Sequence, residues 1–377
     1  MKISFTILIC LFAIPILAQD QIESEIKTLL ETKNYDKLIS QYGSKANELS
    51  AQSLYYLAYA YFIKENDNNC LKFADLSLAK DSTQPESYFL KGQTLNYLGR
   101  FEEAIKCFQS AIRLNPAKGG FYSAMGDSYY NLKNSELALA AYQKATEQIN
   151  PPDRAFYMIP QIYSHRNETS KALDAFYLAK SKISKETDSY ITVLYNIGLI
   201  ESLNGNYDKS EPIFLEILHL APGDYQSYAK LIQVYYHRRE YDKAKPYKEK
   251  LYEAKKNGLL KDNLADMFCF DQFKWNDKLI QAFERYEEGP KSTIFNKHLF
   301  YVLSADNKIE YRIQTEYSPF IAERGEGKYI LCMSKGDMHY TFRIGFDDNF
   351  KYDDLKAAVV DVLESRIKPA AASKRTN

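Results

Sequence analysis

Five histidines, four cysteines after position 20 and one acidic run are the groups in this sequence best equipped for chemistry. His165, His219, His237, His298 and His339 are scattered, with no metal-spaced pair and no Ser or Cys constellation beside them. No catalytic centre, metal site or cofactor is therefore expected. Cys70, Cys107, Cys269 and Cys332 contain no Cys-x-x-Cys pair, so zinc and redox motifs are absent. Cys70 and Cys107 fall on helix faces that read as buried, as small core residues do. A Cys269–Cys332 disulfide is left open by the spacing. The run Asp347-Asp-Asn-Phe-Lys-Tyr-Asp-Asp354 is rich in oxygen ligands but lacks the Gly and ligand spacing of a calcium loop, and reads as a solvated strand-to-helix connection. Asn167-Glu-Thr169 is a glycosylation sequon wherever a eukaryotic secretory pathway applies.

The chain that carries these groups has 377 residues, 45% hydrophobic and 26% charged, a globular composition with room for two domains after a leader. Aromatic rings are abundant, with 32 Tyr and 21 Phe, and suit both packed seams and binding surfaces. Basic and acidic residues balance at 49 each, which disfavours nucleic acid and anionic membrane as partners. Lys2 followed by the apolar Ile3–Ala18 and then polar Gln19-Asp20-Gln21 has the grammar of a signal peptide, residues 1–18, cleaved after Ala18. An exported protein, periplasmic or secreted, with no membrane span in the mature chain is expected.

Between residues 19 and 257 one pattern recurs at an interval of 34 residues. Tyr88, Gly92, Leu95, Ala104, Phe108 and Pro116 recur as Tyr122, Gly126, Tyr129, Ala138 and Tyr142, then as Phe156, Tyr163, Ala172 and Phe176. Leu54, Ala58, Tyr61, Cys70 and Ala74 precede them. After a four-residue insertion near Ser184–Ser189 come Leu194, Gly198 and Phe214, then Tyr228, Leu231, Tyr235 and Ala244. Ile22, Ile26, Leu29, Tyr35, Leu38 and Tyr42 form a degenerate leading copy. This pattern resembles the tetratricopeptide repeat. The resemblance implies an α-solenoid, an all-α superhelix of helix pairs, with small residues where the two backbones of a pair approach and rings between pairs. Pro160, in place of the small residue, is expected to kink or shorten its helix.

Near Asn257-Gly258 the period changes to two. Ile309, Tyr311, Ile313, Thr315 and Tyr317 alternate with polar residues, and Lys278–Glu287, His298–Ala305, Lys328–Lys335 and Met338–Phe346 behave alike around turns at Asn276-Asp277, Asp306-Asn307 and Gly336-Asp337. Asp353 is placed as the cap of a last helix carrying Leu355, Val359, Val362 and Leu363. Residues 258–368 are thus expected to form a small α+β domain, an antiparallel β-meander of five or six strands with a C-terminal helix. A disordered tail over 369–377 follows, and residues 19–257 are expected to fold alone.

The tetratricopeptide resemblance also implies a concave groove lined by the first helix of each pair. One place after the small-residue column stand Tyr59, Gln93, Asp127, Gln161, Leu199 and Gln233. Four places before it on the same face come Tyr55, Phe89, Tyr157 and Tyr195, and four places after come Tyr97, Asn131, His165 and His237, with Asn96, Tyr130 and Tyr236 beside them. This face is polar and aromatic with almost no Lys or Arg. Family members that grip a terminal carboxylate use Lys, Arg and Asn there, and that clamp is lacking. A protein or extended peptide met by amide hydrogen bonds and stacked rings fits such a face, and a non-catalytic scaffold or adaptor is the reading it supports. A glycan or other non-protein ligand is the alternative, and a face partly covered by the chain's own flanking segments is the bland one.

Overall fold

The computed structural model describes residues 21–286, 298–318, 322–325, 329–346 and 351–374. The leader assigned to residues 1–18 lies outside the described residues.

Helix follows helix from residue 21 to Lys256: α1 over 21–31, α2 (Tyr35–Tyr42), α3 (Ala51–Ile63), α4 (Asp67–Lys80), α5 (Pro85–Tyr97), α6 (Phe101–Leu114), α7 (Gly119–Asn131), α8 (Ser135–Thr146), α9 (Asp153–His165), α10 (Thr169–Lys182), α11 (Asp188–Leu203), α12 (Tyr207–Leu220), α13 (Tyr225–His237) and α14 (Tyr241–Lys256). The chain is an α-solenoid of helix pairs followed by an antiparallel sheet and a final helix.

A backbone device makes each pair turn in the same way. Glu65, Gly99, Lys133, Asn167, Gly205 and Arg239 all take positive φ just after a first helix. The next amide reaches back to close the helix end, as in Asn66 N to Tyr61 O at 2.9 Å, Arg100 N to Leu95 O at 2.8 Å and Glu240 N to Tyr235 O at 2.9 Å. This is a Schellman closure, and it satisfies carbonyls that a helix end leaves orphaned. The residue after it starts the second helix; Asn66 and Asn134 also accept from Asn69 N and Leu137 N.

The small-residue column does a different job from the one its spacing suggested. A Cβ on Gly92 would lie 2.5 Å from Phe108 Cε1, one on Gly126 2.9 Å from Tyr142, and one on Gly198 2.8 Å from Phe214. The glycines make room for a buried ring of the second helix, rather than for its backbone. Pro160 leaves its helix unshortened, since α9 has 13 residues like α5 and α7.

The chain divides into two compact units inside α11, residues 1–193 and 194–377, so most of α11 together with α12, α13 and α14, the last two helix pairs, falls in the same unit as the sheet. The sheet runs β1 (Met267–Trp275), β2 (Lys278–Arg285), β3 (His298–Leu303), β4 (Ile309–Tyr317), β5 (Tyr329–Lys335), β6 (Met338–Phe346) and β7 (Ala371–Lys374), each strand antiparallel to the next in chain order. Asn276, Asn307 and Gly336 supply the left-handed residues of its tight turns. Among the described residues the sheet has seven strands where five or six were expected. The extra one is part of the tail expected to be disordered, because Ala371–Lys374 pair with the otherwise open edge of β6. Ile280, Ala282, Phe300, Val302 and Ile313 are fully buried on one sheet face, as are Leu355 and Val359 of the final helix α15 (Tyr352–Leu363). Lys351, not Asp353, occupies the cap position of α15; Asp353 sits in the first turn. Of the acidic run, residues 347–350 lie outside the described residues.

Candidate functional site

The first-helix face of residues 21–193 is built on α3, α5, α7 and α9. Tyr55 and Tyr59 are half-buried on α3, and Tyr55 packs against Tyr56 with ring centroids 5.7 Å apart. Burial pushes the Tyr55 phenol up to about 12. Phe89 is wedged between Phe108 and Phe121, centroids at 5.8 and 4.9 Å, and so belongs to the seam between repeats rather than to an open face. Asn96 is also structural: it donates to Ala124 O and accepts from Ser128 Oγ at 2.7 Å, tying α5 to α7.

The Asp127 carboxylate is held by two groups. Tyr142 OH donates to it at 2.5 Å, and Arg154 Nε lies 2.7 and 2.8 Å from its two oxygens. Burial, then the Asp127 charge and hydrogen bond, push the Tyr142 phenol far above its ordinary value. Arg154 therefore stands on a face read as nearly free of Arg. The signal for it was present, because Arg154 precedes Gln161 by seven places, two turns along the same stripe.

Tyr130 OH lies 3.0 Å from His165 Nδ1, their rings roughly parallel, and Asn131 Nδ2 donates to Asp127 O at 2.8 Å. Tyr130 and Tyr157 are half-buried against the α7–α9 core, so Tyr130 contributes to packing. Tyr97 is 72% exposed. Gln93 and Gln161 are half-buried, and their side-chain amides make no hydrogen bond with any described residue.

The remaining predicted residues lie in the second unit, where the face is not open. Tyr195 packs edge-on against Phe214 at 6.0 Å. Gln233 Nε2 donates to Cys269 O of β1 at 2.8 Å, satisfying an edge-strand carbonyl. Tyr236 is enclosed by Tyr241, Phe270 and Tyr352, with centroids 4.8 to 5.3 Å away. His237 stacks on Tyr207 and points Nδ1 at Asp271 Oδ1 from 3.5 Å. Gln233, Tyr236 and His237 thus hold the chain's own strand and helix, as the covered-face alternative had it.

Two buried carboxylates make that closure. A β-bulge between Cys269 and Asp271 leaves Phe270 without a partner on β2, so Phe270 and Asp271 both face the helices. Asp271, 1% exposed, accepts from Tyr352 OH at 2.6 Å and Lys356 Nζ at 2.9 Å. Glu284, 2% exposed, accepts from Lys248 Nζ at 2.5 Å and Tyr252 OH at 2.6 Å. Burial would raise the Glu284 carboxyl, but Lys248, His298 and Tyr252 together hold it below the usual carboxylate range. Burial lowers His237 despite the neighbouring Asp271. Each carboxylate carries a lysine, a tyrosine and a histidine, which is a fully partnered anchor with no free nucleophile.

Among the described residues, Cys70, Cys107, Cys269 and Cys332 are all free thiols. Cys269 and Cys332 stand on β1 and β5, four strand spacings or roughly 19 Å apart, far beyond disulfide reach. Among the described residues no His, Cys, Asp and Glu group is placed to hold a metal, and no helix is long and apolar enough to cross a membrane.

Residues 85–118 match a family model described as tetratricopeptide repeat, and residues 120–150 match a second one so described. Protein CTR9 homolog of Arabidopsis thaliana is 27% identical over 190 residues, which cover 50% of this chain and 16% of that protein. A TPR repeat-containing protein of Methanocaldococcus jannaschii is 24% identical over 260 residues, covering 64% of this chain and 43% of that protein. The chain therefore spans less than half the length of either curated relative. The C-terminal part of a TPR repeat-containing protein from Cytophaga hutchinsonii superposes with a TM-score of 0.47 at 20% identity, over 62% of this chain and 93% of that one. The Pseudomonas aeruginosa pilF structure superposes with a TM-score of 0.46 at 16% identity, over 56% and 95% of the two chains.

Proposed function

We propose that this chain, which carries tetratricopeptide repeats, is a protein-interaction scaffold, an exported, non-catalytic adaptor that takes an extended segment of a partner along α5, α7 and α9. Export rests on the leader pattern of residues 1–18. The observation that carries the binding mode is Gln233. That position holds the backbone carbonyl of an extended strand at 2.8 Å, and the same position one step after the small-residue column is Gln93 in α5 and Gln161 in α9. Both amides are unbonded within the described chain. A neutral side chain that grips backbone reads shape rather than sequence, and the neighbouring Tyr97 and Tyr130 add ring contacts.

The test is a quantitative pull-down from native envelope extract with the full chain and with Gln93→Ala/Gln161→Ala. Losing two neutral hydrogen bonds of about 0.5–1.5 kcal/mol each weakens capture of a groove partner about tenfold. A partner set unchanged by the double substitution overturns the binding mode.

A further inference from the structure

Arg312 is a permanent cation with no counter-charge within ion-pair distance among the described residues. It stands in β4, half-buried, and its Nε is shielded from solvent yet unpaired. Its neighbour in sequence, Ile313, is fully buried opposite Phe300 on the helix-facing side of the sheet, so Arg312 projects from the other face. Directly across the ladder from it stand Tyr301 on β3 and Ser334 on β5, and across from Ser334 stands His339 on β6. Residues opposite one another in an antiparallel ladder share a face. Ser334 Oγ lies 3.1 Å from His339 Nδ1, which fixes that pair.

Among the described residues of β4, the acids on this face are already engaged. Glu310 takes Lys278 Nζ at 2.5 Å, and Glu316 takes the Gln314 amide. Gln314, 7% exposed, is left with an unpaired Oε1. A guanidinium buried at Nε without an acceptor is costly, so the row is incomplete as it stands.

We propose that the Arg312–Ser334–His339 row binds a carboxylate group of a partner molecule. Arg312 supplies the charge and a forked donor geometry matched to two oxygens. In the tautomer whose Nδ1–H donates to Ser334 Oγ, the serine hydroxyl proton is left to donate to the ligand. The row holds one permanent positive charge, which balances a monoanion; a phosphate group near neutral pH carries about −1.5 to −2 and calls for a second cation.

The test is an NMR titration of the full chain with sodium acetate, and in parallel with inorganic phosphate, at constant ionic strength. The expected result is a saturable shift of the Arg312 Nε–H and His339 ring resonances with acetate, weaker with phosphate. Arg312→Gln is expected to weaken acetate binding about tenfold or more while the other resonances stay in place. Arg312→Lys, which keeps the charge and loses the fork, is expected to fall between the two, and it decides the matter if the Gln variant does not fold. Unmoved resonances, an equal response in Arg312→Gln, or tighter binding of phosphate overturns the proposal.

Discussion

Replacing Lys248 with Met isolates what fastens the last helix pair to the sheet. Lys248 Nζ sits 2.5 Å from a Glu284 carboxylate that is 2% exposed, and the methionine side chain fills much the same stem volume. The substitution therefore removes the charge and little packing, and leaves Glu284 ionised in an apolar site with only Tyr252 and the more distant His298 to answer it. Breaking a buried pair on one side costs about 3–5 kcal/mol, whereas an exposed pair is worth about 0–1 kcal/mol. For a unit of this size that is a fall in Tm on the order of 10 °C. Adding Glu284→Gln removes the stranded charge and keeps an acceptor for Tyr252 OH, so the double variant is expected to return to within about 1–2 kcal/mol of the parent. Urea unfolding of the full chain, followed by circular dichroism and completed as a double-mutant cycle, measures this. A loss below about 1 kcal/mol for Lys248→Met, or a double variant as weak as the single, refutes the buried-anchor reasoning.

Acidification should loosen the same junction in two steps. The folded pKa of His237 lies below its ordinary 6.5, so the unfolded chain binds the proton first and stability declines as pH falls from about 6.5. The folded pKa of Glu284 lies below 4.5, so its contribution is full above that value and is lost as pH falls through the depressed one. Tm against pH should show both steps, and His237→Gln should remove the first. Gly92→Ala gains about 1 kcal/mol of helix propensity but drives a methyl into Phe108 at 2.5 Å, where overpacking costs about 1–3 kcal/mol; Phe108→Leu should relieve it, and a stabilised single variant in urea contradicts the ring-on-glycine seam. A fragment ending at residue 257 strips Gln233, Tyr236, Lys248 and Tyr252 of their partners, so hydrogen exchange should show α13 and α14 selectively unprotected beside an intact α3–α8, and uniform protection contradicts that.

Much of this was legible because a repeat samples each structural position several times. Gly92, Gly126 and Gly198 announce a column, and the aromatic rings they accommodate stand sixteen places later each time. Where a position occurs once, the sequence said less. The cover on α13 depends on docking by β1 and α15, and its only local trace was a pair of carboxylates, Asp271 and Glu284, inside apolar strands. Arg154 stands two turns from Gln161, beyond the one-turn neighbours that define the face by spacing. Strand β7 was missed because four small and polar residues pair through their backbones, which leaves no alternation to read.

The central claim is that Gln93 and Gln161 hold an extended partner segment as Gln233 holds β1. Its most direct measurement is site-specific photo-crosslinking, with the photoreactive residue placed at 93, at 161 or at the exposed Gln109 of α6, and cross-linked products mapped by mass spectrometry. The account predicts that positions 93 and 161 label one partner polypeptide within a single short stretch of its sequence, and that position 109 does not. Labelling of glycan alone at 93 and 161, or equal labelling from all three positions, contradicts it.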